Sequence, residues 1–124
     1  MPAGGEKRKR SLADLQGLLM ADEILMAHSS GIASVRRLGS HSERPATLFV
    51  TDRRVGVVST ELDDLKLTEF SYGVIRSVEY KQGIFCGEIS LLSSGMRTRF
   101  HHMPRAAVGQ IAELIREQVT RRSQ

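Results

Sequence analysis

A chain of 124 residues and 13.8 kDa supports one domain with a single core and is too short for two ordinary ones. Its 40% hydrophobic and 26% charged residues read as globular rather than disordered, and without a run of about 18 apolar residues it holds no membrane-spanning helix. The formal charge of +4 sits at the ends, because residues 11–120 carry 12 cationic against 13 anionic side chains, so the body gives no electrostatic reason to expect a nucleic-acid partner.

Residues 1–10 hold Pro2, Gly4, Gly5 and the run Lys7, Arg8, Lys9, Arg10, with nothing to bury, and are expected to form a disordered basic tail. Asp14, Asp22 and Glu23 break the apolar stretch that follows, which argues against a secretory signal. Ser11 or Asp14 can cap a short helix on which Leu12, Leu15, Leu18 and Leu19 share a face. "EILMAHSSG" reads as a first strand ended by Gly31, and residues 32–45, with Gly39, Ser40, His41, Ser42 and Pro45, read as a long polar loop.

Beyond that loop, turn signals recur every eight to twelve residues, as in an antiparallel sheet. "ATLFVT" and "RVGVVST" form a hairpin. In "LKLTEF", Leu65 and Leu67 alternate with Lys66, Thr68 and Phe70. "GVIRSVEYKQG" places Val74, Arg76, Val78 and Tyr80 on one face and Ile75, Ser77 and Glu79 on the other. "EISLLSS" and "MRTRFHH" then flank a turn, with Met96, Thr98 and Phe100 inward and Arg97, Arg99 and His101 toward water. Pro104 suits the first turn of a helix, where its missing N–H would have had no partner. Val108, Ile111, Ala112, Ile115 and Val119 give that helix an apolar stripe that has to dock on a sheet.

The predicted fold is α+β, mainly β: about seven antiparallel strands in two packed sheets, capped by a C-terminal amphipathic helix and preceded by a short N-terminal one. Without βαβ alternation, a doubly wound parallel sheet is disfavoured. The expected organisation is a tail over 1–10, one domain over 11–120 and a basic C-terminal tail over 121–124.

Four stretches, in order, carry a resemblance. "LFVTDRRVGVVS" resembles the L-x-L-T-D-R-R-L-x-x-V hairpin of bacterial pleckstrin-homology-like domains, particularly the YokE-like group, and is similar to the related GRAM domains. "GLLMADEILMAHSSG" resembles that group's opening, "FSYGVIRSVEYKQGIFCGEISL" its later hairpin, and "HHMPRAAVGQIAELIREQV" its closing turn and helix. The resemblance covers roughly residues 15–120. It implies a barrel whose two sheets are plugged by the terminal helix, and a non-catalytic binding role. The sequence departs from the pattern at Gly56, where a bulky apolar residue is more common, and in the polar stretch 32–45.

Several residues invite a functional reading. Thr51, Asp52, Arg53 and Arg54 form a charged knot, but Thr51 and Asp52 can each accept hydrogen bonds from the backbone just beyond them, so the quartet encodes a turn, with Asp52 as its former. Arg36, Arg37 and Arg44 on the expected loop, helped by the tail Lys7, Arg8, Lys9 and Arg10, form the better anion candidate, because a guanidinium can chelate two phosphate oxygens. His101 and His102 are neighbours in a strand, so their side chains point to opposite faces and do not chelate one metal. Cys86 forms no internal disulfide, suits a reducing compartment and has no visible base to activate it. Ile84 and Phe85, at a tip between Gly83 and Gly87, either mark a contact surface or fold back over the core.

No motif asks for a cofactor, metal or small-molecule substrate, and none supports an enzyme. The reading is a cytoplasmic interaction module that contacts a protein, or copies of itself, through sheet edges and the Ile84–Phe85 hairpin. The alternative is peripheral attachment to anionic phospholipid headgroups through residues 32–45 and the N-terminal tail. A nucleic-acid role is disfavoured, because six aromatics and no Trp leave few platforms for base stacking.

Overall fold

The computed structural model describes residues 15–37, 40–61 and 64–122. Seven strands, β1 (Leu25–Arg37), β2 (Ser40–Thr51), β3 (Arg54–Glu61), β4 (Asp64–Ser71), β5 (Ile75–Gln82), β6 (Cys86–Ser93) and β7 (Met96–Pro104), are followed by one helix, α1 (Arg105–Arg122). All pairings are antiparallel, in the order β4-β3-β2-β1-β7-β6-β5. The two expected sheets are thus halves of one hydrogen-bonded sheet, joined because β1 pairs with β2 along its length and with β7 over residues 32–36.

The expected loop over 32–45 is instead a paired ribbon. β1 does not stop at Gly31, and Ile32 faces Pro45, Ser34 faces Glu43 and Arg37 faces Ser40. The polar composition misleads because strand pairing is made by main-chain hydrogen bonds, which polar residues form as readily as apolar ones. Pro45 lies opposite Ile32 of β1, and β3 joins β2 only from Ala46 onward, so the proline stands where β2 is paired on one side alone. Gly31 marks a close approach rather than an end: a Cβ there would sit 2.5 Å from the Phe100 ring.

The main core lies between the curled sheet and α1, with Val50, Val55, Phe70, Ile75, Ile89, Leu91, Phe100 and Met103 packed against Val108, Ile111 and Ile115. A second cluster lies on the other face of the sheet, where Leu15, Phe49 and Val58 are joined by Leu18, Leu19, Leu25 and Leu67. It explains the departure at Gly56. Phe49 lies directly across from Gly56, and a Cβ there would come within 2.2 Å of the ring, so the glycine makes room for the aromatic. Of the short N-terminal helix, the described part is one turn, in which Leu18 N and Leu19 N donate to Leu15 O and Gln16 O. The expected tail over 1–10 lies outside the described residues.

Three facing assignments change. In β4, Phe70 is buried and Leu65 exposed, because Phe70 pairs with Val55 on the main-core face. In β5, a register shift between Ile75 and Ser77 buries both Ile75 and Val78. In β7, a shift opposite Gly87 and Ile89, with His102 at φ 59°, turns His101 inward. Pro104 ends β7 one residue before the helix rather than opening it, and α1 takes in Arg121 and Arg122, which were expected in a tail. Among the described residues no helix is long and apolar enough to cross a membrane.

Candidate functional site

The β2–β3 turn gathers the buried polar residues Glu23, Thr51 and Arg54. Thr51 forms it: its Oγ1 accepts from the backbone N–H of Arg53 and of Arg54, each at 3.0 Å, and donates to Glu23 Oε2 at 2.6 Å. Asp52, expected to form the turn, reaches instead to the chain entering β1. Its Oδ1 accepts from Ile24 N at 2.9 Å while its own N–H donates to Ile24 O. The expectation fails because a carboxylate binds whichever donor lies nearest, and that donor is 28 residues back.

Arg54 is only 6% exposed, and its guanidinium grips Glu23 with two bonds, Nε to Oε2 at 2.8 Å and Nη2 to Oε1 at 3.0 Å. It also donates to Leu18 O and to Glu69, and lies over the Phe49 ring. Burial alone would raise the Glu23 carboxyl, but the bonds from Arg54, Thr51 and Met20 N outweigh it and hold the carboxyl at about 2. Tyr72 closes the knot by donating to Thr51 O at 2.5 Å, with burial pushing its hydroxyl up, and Arg122 donates to Asp52 O at 2.7 Å from the end of α1. The donors and acceptors of Thr51, Arg54 and Glu23 are spent on one another and on the chain around them, so this buried triad holds its segments together and offers nothing to a ligand. The sequence pointed to Thr51 and Asp52; it did not show Glu23, Glu69 or Tyr72, whose separation along the chain hides the contact.

The β5–β6 hairpin is the opposite case. Ile84 is 84% exposed and Phe85 90%, so they do not fold back over the core. The hairpin beneath them is held fast: Gly83 N donates to Cys86 O, Arg105 Nε donates to Gly83 O at 2.9 Å, and Gln82 Nε2 donates to Arg105 O at 2.9 Å. Beside the tip lies a cavity of about 240 Å³ whose lining includes Lys81, Cys86, Glu88, Arg99, His101 and His102. Cys86 is half-buried there.

His101 and His102 do not point apart as expected. The bulge brings their Nδ1 atoms to 2.6 Å, a separation that needs one shared proton. Burial, with the charges of Arg99 and His102, holds His101 below its ordinary value. Its Nε2 lies 3.4 Å from Glu43 without hydrogen-bond geometry. Among the described residues no group of three His, Cys, Asp or Glu could hold a metal ion.

The anion candidates are divided by register. Arg36 lies opposite His41 on β2 and Arg97 on β7, whereas Arg37 lies opposite Ser40 and Arg44 opposite Ala33. Arg97 and Arg99, read from the sequence only as outward residues, are exposed at the register positions opposite Arg36 and Ser34, and Arg99 is paired with Glu88 at 3.5 Å. Lys7, Arg8, Lys9 and Arg10 lie outside the described residues.

The whole-chain comparisons agree with this architecture. A family model for the bacterial PH domain matches residues 19–117, at the level of the family and not of the YokE-like group within it. Among solved structures, the chain is similar to the Vps36 N-terminal PH domain, with a TM-score of 0.64 at 10% identity over 84% of each chain. It is similar also to the PH domain of USP37, with a TM-score of 0.60 at 10% identity over 77% of this chain and 99% of that one. A third likeness, at TM-score 0.55 and 15% identity, is to the C-terminal domain of a protein of unknown role from Leishmania infantum, over 87% of this chain and 90% of that one. At such identities the likeness concerns the fold. The comparison with curated proteins found none that matches.

Proposed function

Because the chain belongs to the bacterial PH domain family, whose fold commonly serves protein or lipid contacts, we propose that it is a non-catalytic module that binds a protein partner, or a second copy of itself, through the tip of the β5–β6 hairpin. The observation that carries this reading is the exposure of Ile84 and Phe85 on a hairpin whose base is fixed to α1. Two apolar side chains left in water on a rigid support lose little conformational freedom on docking, and each contributes about 1.5–3 kcal/mol when buried. The half-buried Cys86, as a thiol, suits a cytoplasmic setting for such a contact.

A photo-cross-linking residue in place of Phe85, carried by the full chain in its native host, tests this. The expected product is a discrete protein adduct, or one at twice the chain's mass, absent when the same residue replaces the exposed Arg53. Lipid adducts alone, or none, overturn the reading.

A second reading rests on the register that sets Arg97 of β7 opposite Arg36 of β1, two positions from Arg99, because like charges at opposite positions are costly unless an anion relieves them. It assigns these positions to anionic phospholipid headgroups. Sedimentation with phosphatidylserine vesicles that succeeds at low salt and weakens with added salt is its expected mark, and no sedimentation at any salt excludes it.

A further inference from the structure

β1 is paired on both sides only over residues 32–36, and over residues 25–31 its described pairing is with β2 alone. Between this open edge and the last turns of α1 runs a groove of about 600 Å³ lined by Ile24, Met26, Asp52, Gln118, Arg121 and Arg122. Ile24 is 62% exposed at its mouth. Gln118, only 7% exposed, brings to the groove an amide with no hydrogen-bond partner among the described residues. We propose that this groove binds an extended acidic peptide, which adds as a strand along residues 25–31 of β1 and is met from the helix by the Gln118 amide.

Each part of the groove matches one part of such a ligand. An open strand edge offers main-chain N–H and C=O groups at the spacing of another strand. A glutamine amide donates and accepts as a peptide group does, so it can hydrogen-bond the outer edge of the added segment. Ile24 and Met26 supply apolar contact for alternate side chains, and the two cations Arg121 and Arg122 outweigh the one Asp52 carboxylate of the lining, Arg121 lying 3.8 Å from Glu117 at the rim and Arg122 keeping donors beyond the one it gives to Asp52 O. The chain's own N-terminal segment, with Lys7 through Arg10, carries the wrong charge for this place. A lipid headgroup has no backbone with which to continue a sheet. The groove stands at the opposite end of the 18-residue α1 from the hairpin tip, roughly 20–25 Å away along the helix axis, so this proposal and the hairpin reading fail independently.

The test is an amide NMR titration of the full chain with a ten-residue peptide alternating glutamate and valine. Shift changes are expected at the amides of residues 25–31 and at the Gln118 side-chain amide, with no binding of the matching lysine–valine peptide. Gln118→Leu, which keeps the packing, is expected to weaken binding at least tenfold. Ile24→Glu, at an exposed position that folding does not need, does the same by repulsion. The proposal is overturned by shifts centred on Ile84 and Phe85 or on the Arg97 face, by equal binding of both peptides, by variants that bind unchanged, by capture of phosphatidylserine vesicles on this face with the peptide inert, or by no shift at millimolar peptide.

Discussion

The turn after β2 and the turn after β5 are both short connections, and each carries residues that stand out in the sequence, charged in the first and apolar in the second. In the first, Arg54 and Glu23 are buried, bonded twice to each other, and tied to Thr51, Leu18 and Glu69. In the second, Ile84 and Phe85 touch water over most of their surface while the backbone below them is pinned. The difference teaches how a scaffold of this kind disposes of conspicuous residues. Conspicuous charge has been absorbed by the fold, whereas the apolar surface that the fold leaves unburied remains available to a partner.

The sharpest way to break the comparison is to disturb the charged knot. Arg54→Met strands the Glu23 carboxylate in a buried place and is expected to cost about 3–5 kcal/mol, lowering Tm by roughly 10 °C or more in thermal unfolding. Acid acts on the same pair. With the Glu23 carboxyl at about 2 when folded against an ordinary 4.5, its contribution is complete above pH 4.5 and is lost as pH falls from 4.5 toward 2. On the order of 3 kcal/mol should disappear over that window in urea titrations, and Glu23→Gln should flatten this part of the profile.

Gly56→Ala drives a methyl group into the Phe49 ring and should cost about 1–3 kcal/mol, with the penalty reduced in a Phe49→Leu background. Asp52→Ala should cost roughly 0.5–2 kcal/mol, since it removes one bond to Ile24 N and leaves the Thr51 turn intact. Ile84→Ser with Phe85→Ser lies at the other extreme. It should move stability by no more than about 0.5 kcal/mol, because neither side chain is part of a core.

Periodicity carried most of the fold. The hairpin over "ATLFVT" and "RVGVVST" and the stripe of Val108, Ile111, Ala112 and Ile115 could be read because alternation and helical spacing are set by which face is buried. The β1–β2 ribbon could not, since its outer residues are polar and its pairing is held by backbone bonds, which leave no trace in side-chain pattern. Bulges defeated the face assignments in β5 and β7: one extra residue reverses every side chain beyond it, so His101 turned inward against a pattern that was regular as far as Phe100. The partners of Arg54 were hidden by distance, with Glu23 lying 31 residues earlier. Exposure at Ile84 and Phe85 was undecided from sequence because a hairpin tip can turn either way, and only the bonds from Arg105 and Gln82 fix it.

The contrast between the two turns is tested most directly on one preparation of the Ile84→Ser, Phe85→Ser double variant, with thermal unfolding and binding of the partner cross-linked at position 85 measured side by side. An unchanged Tm together with at least a tenfold loss of partner binding is expected. A Tm lowered by several degrees with partner binding retained would contradict the account, because it would make the hairpin tip part of the scaffold and leave the contact surface elsewhere.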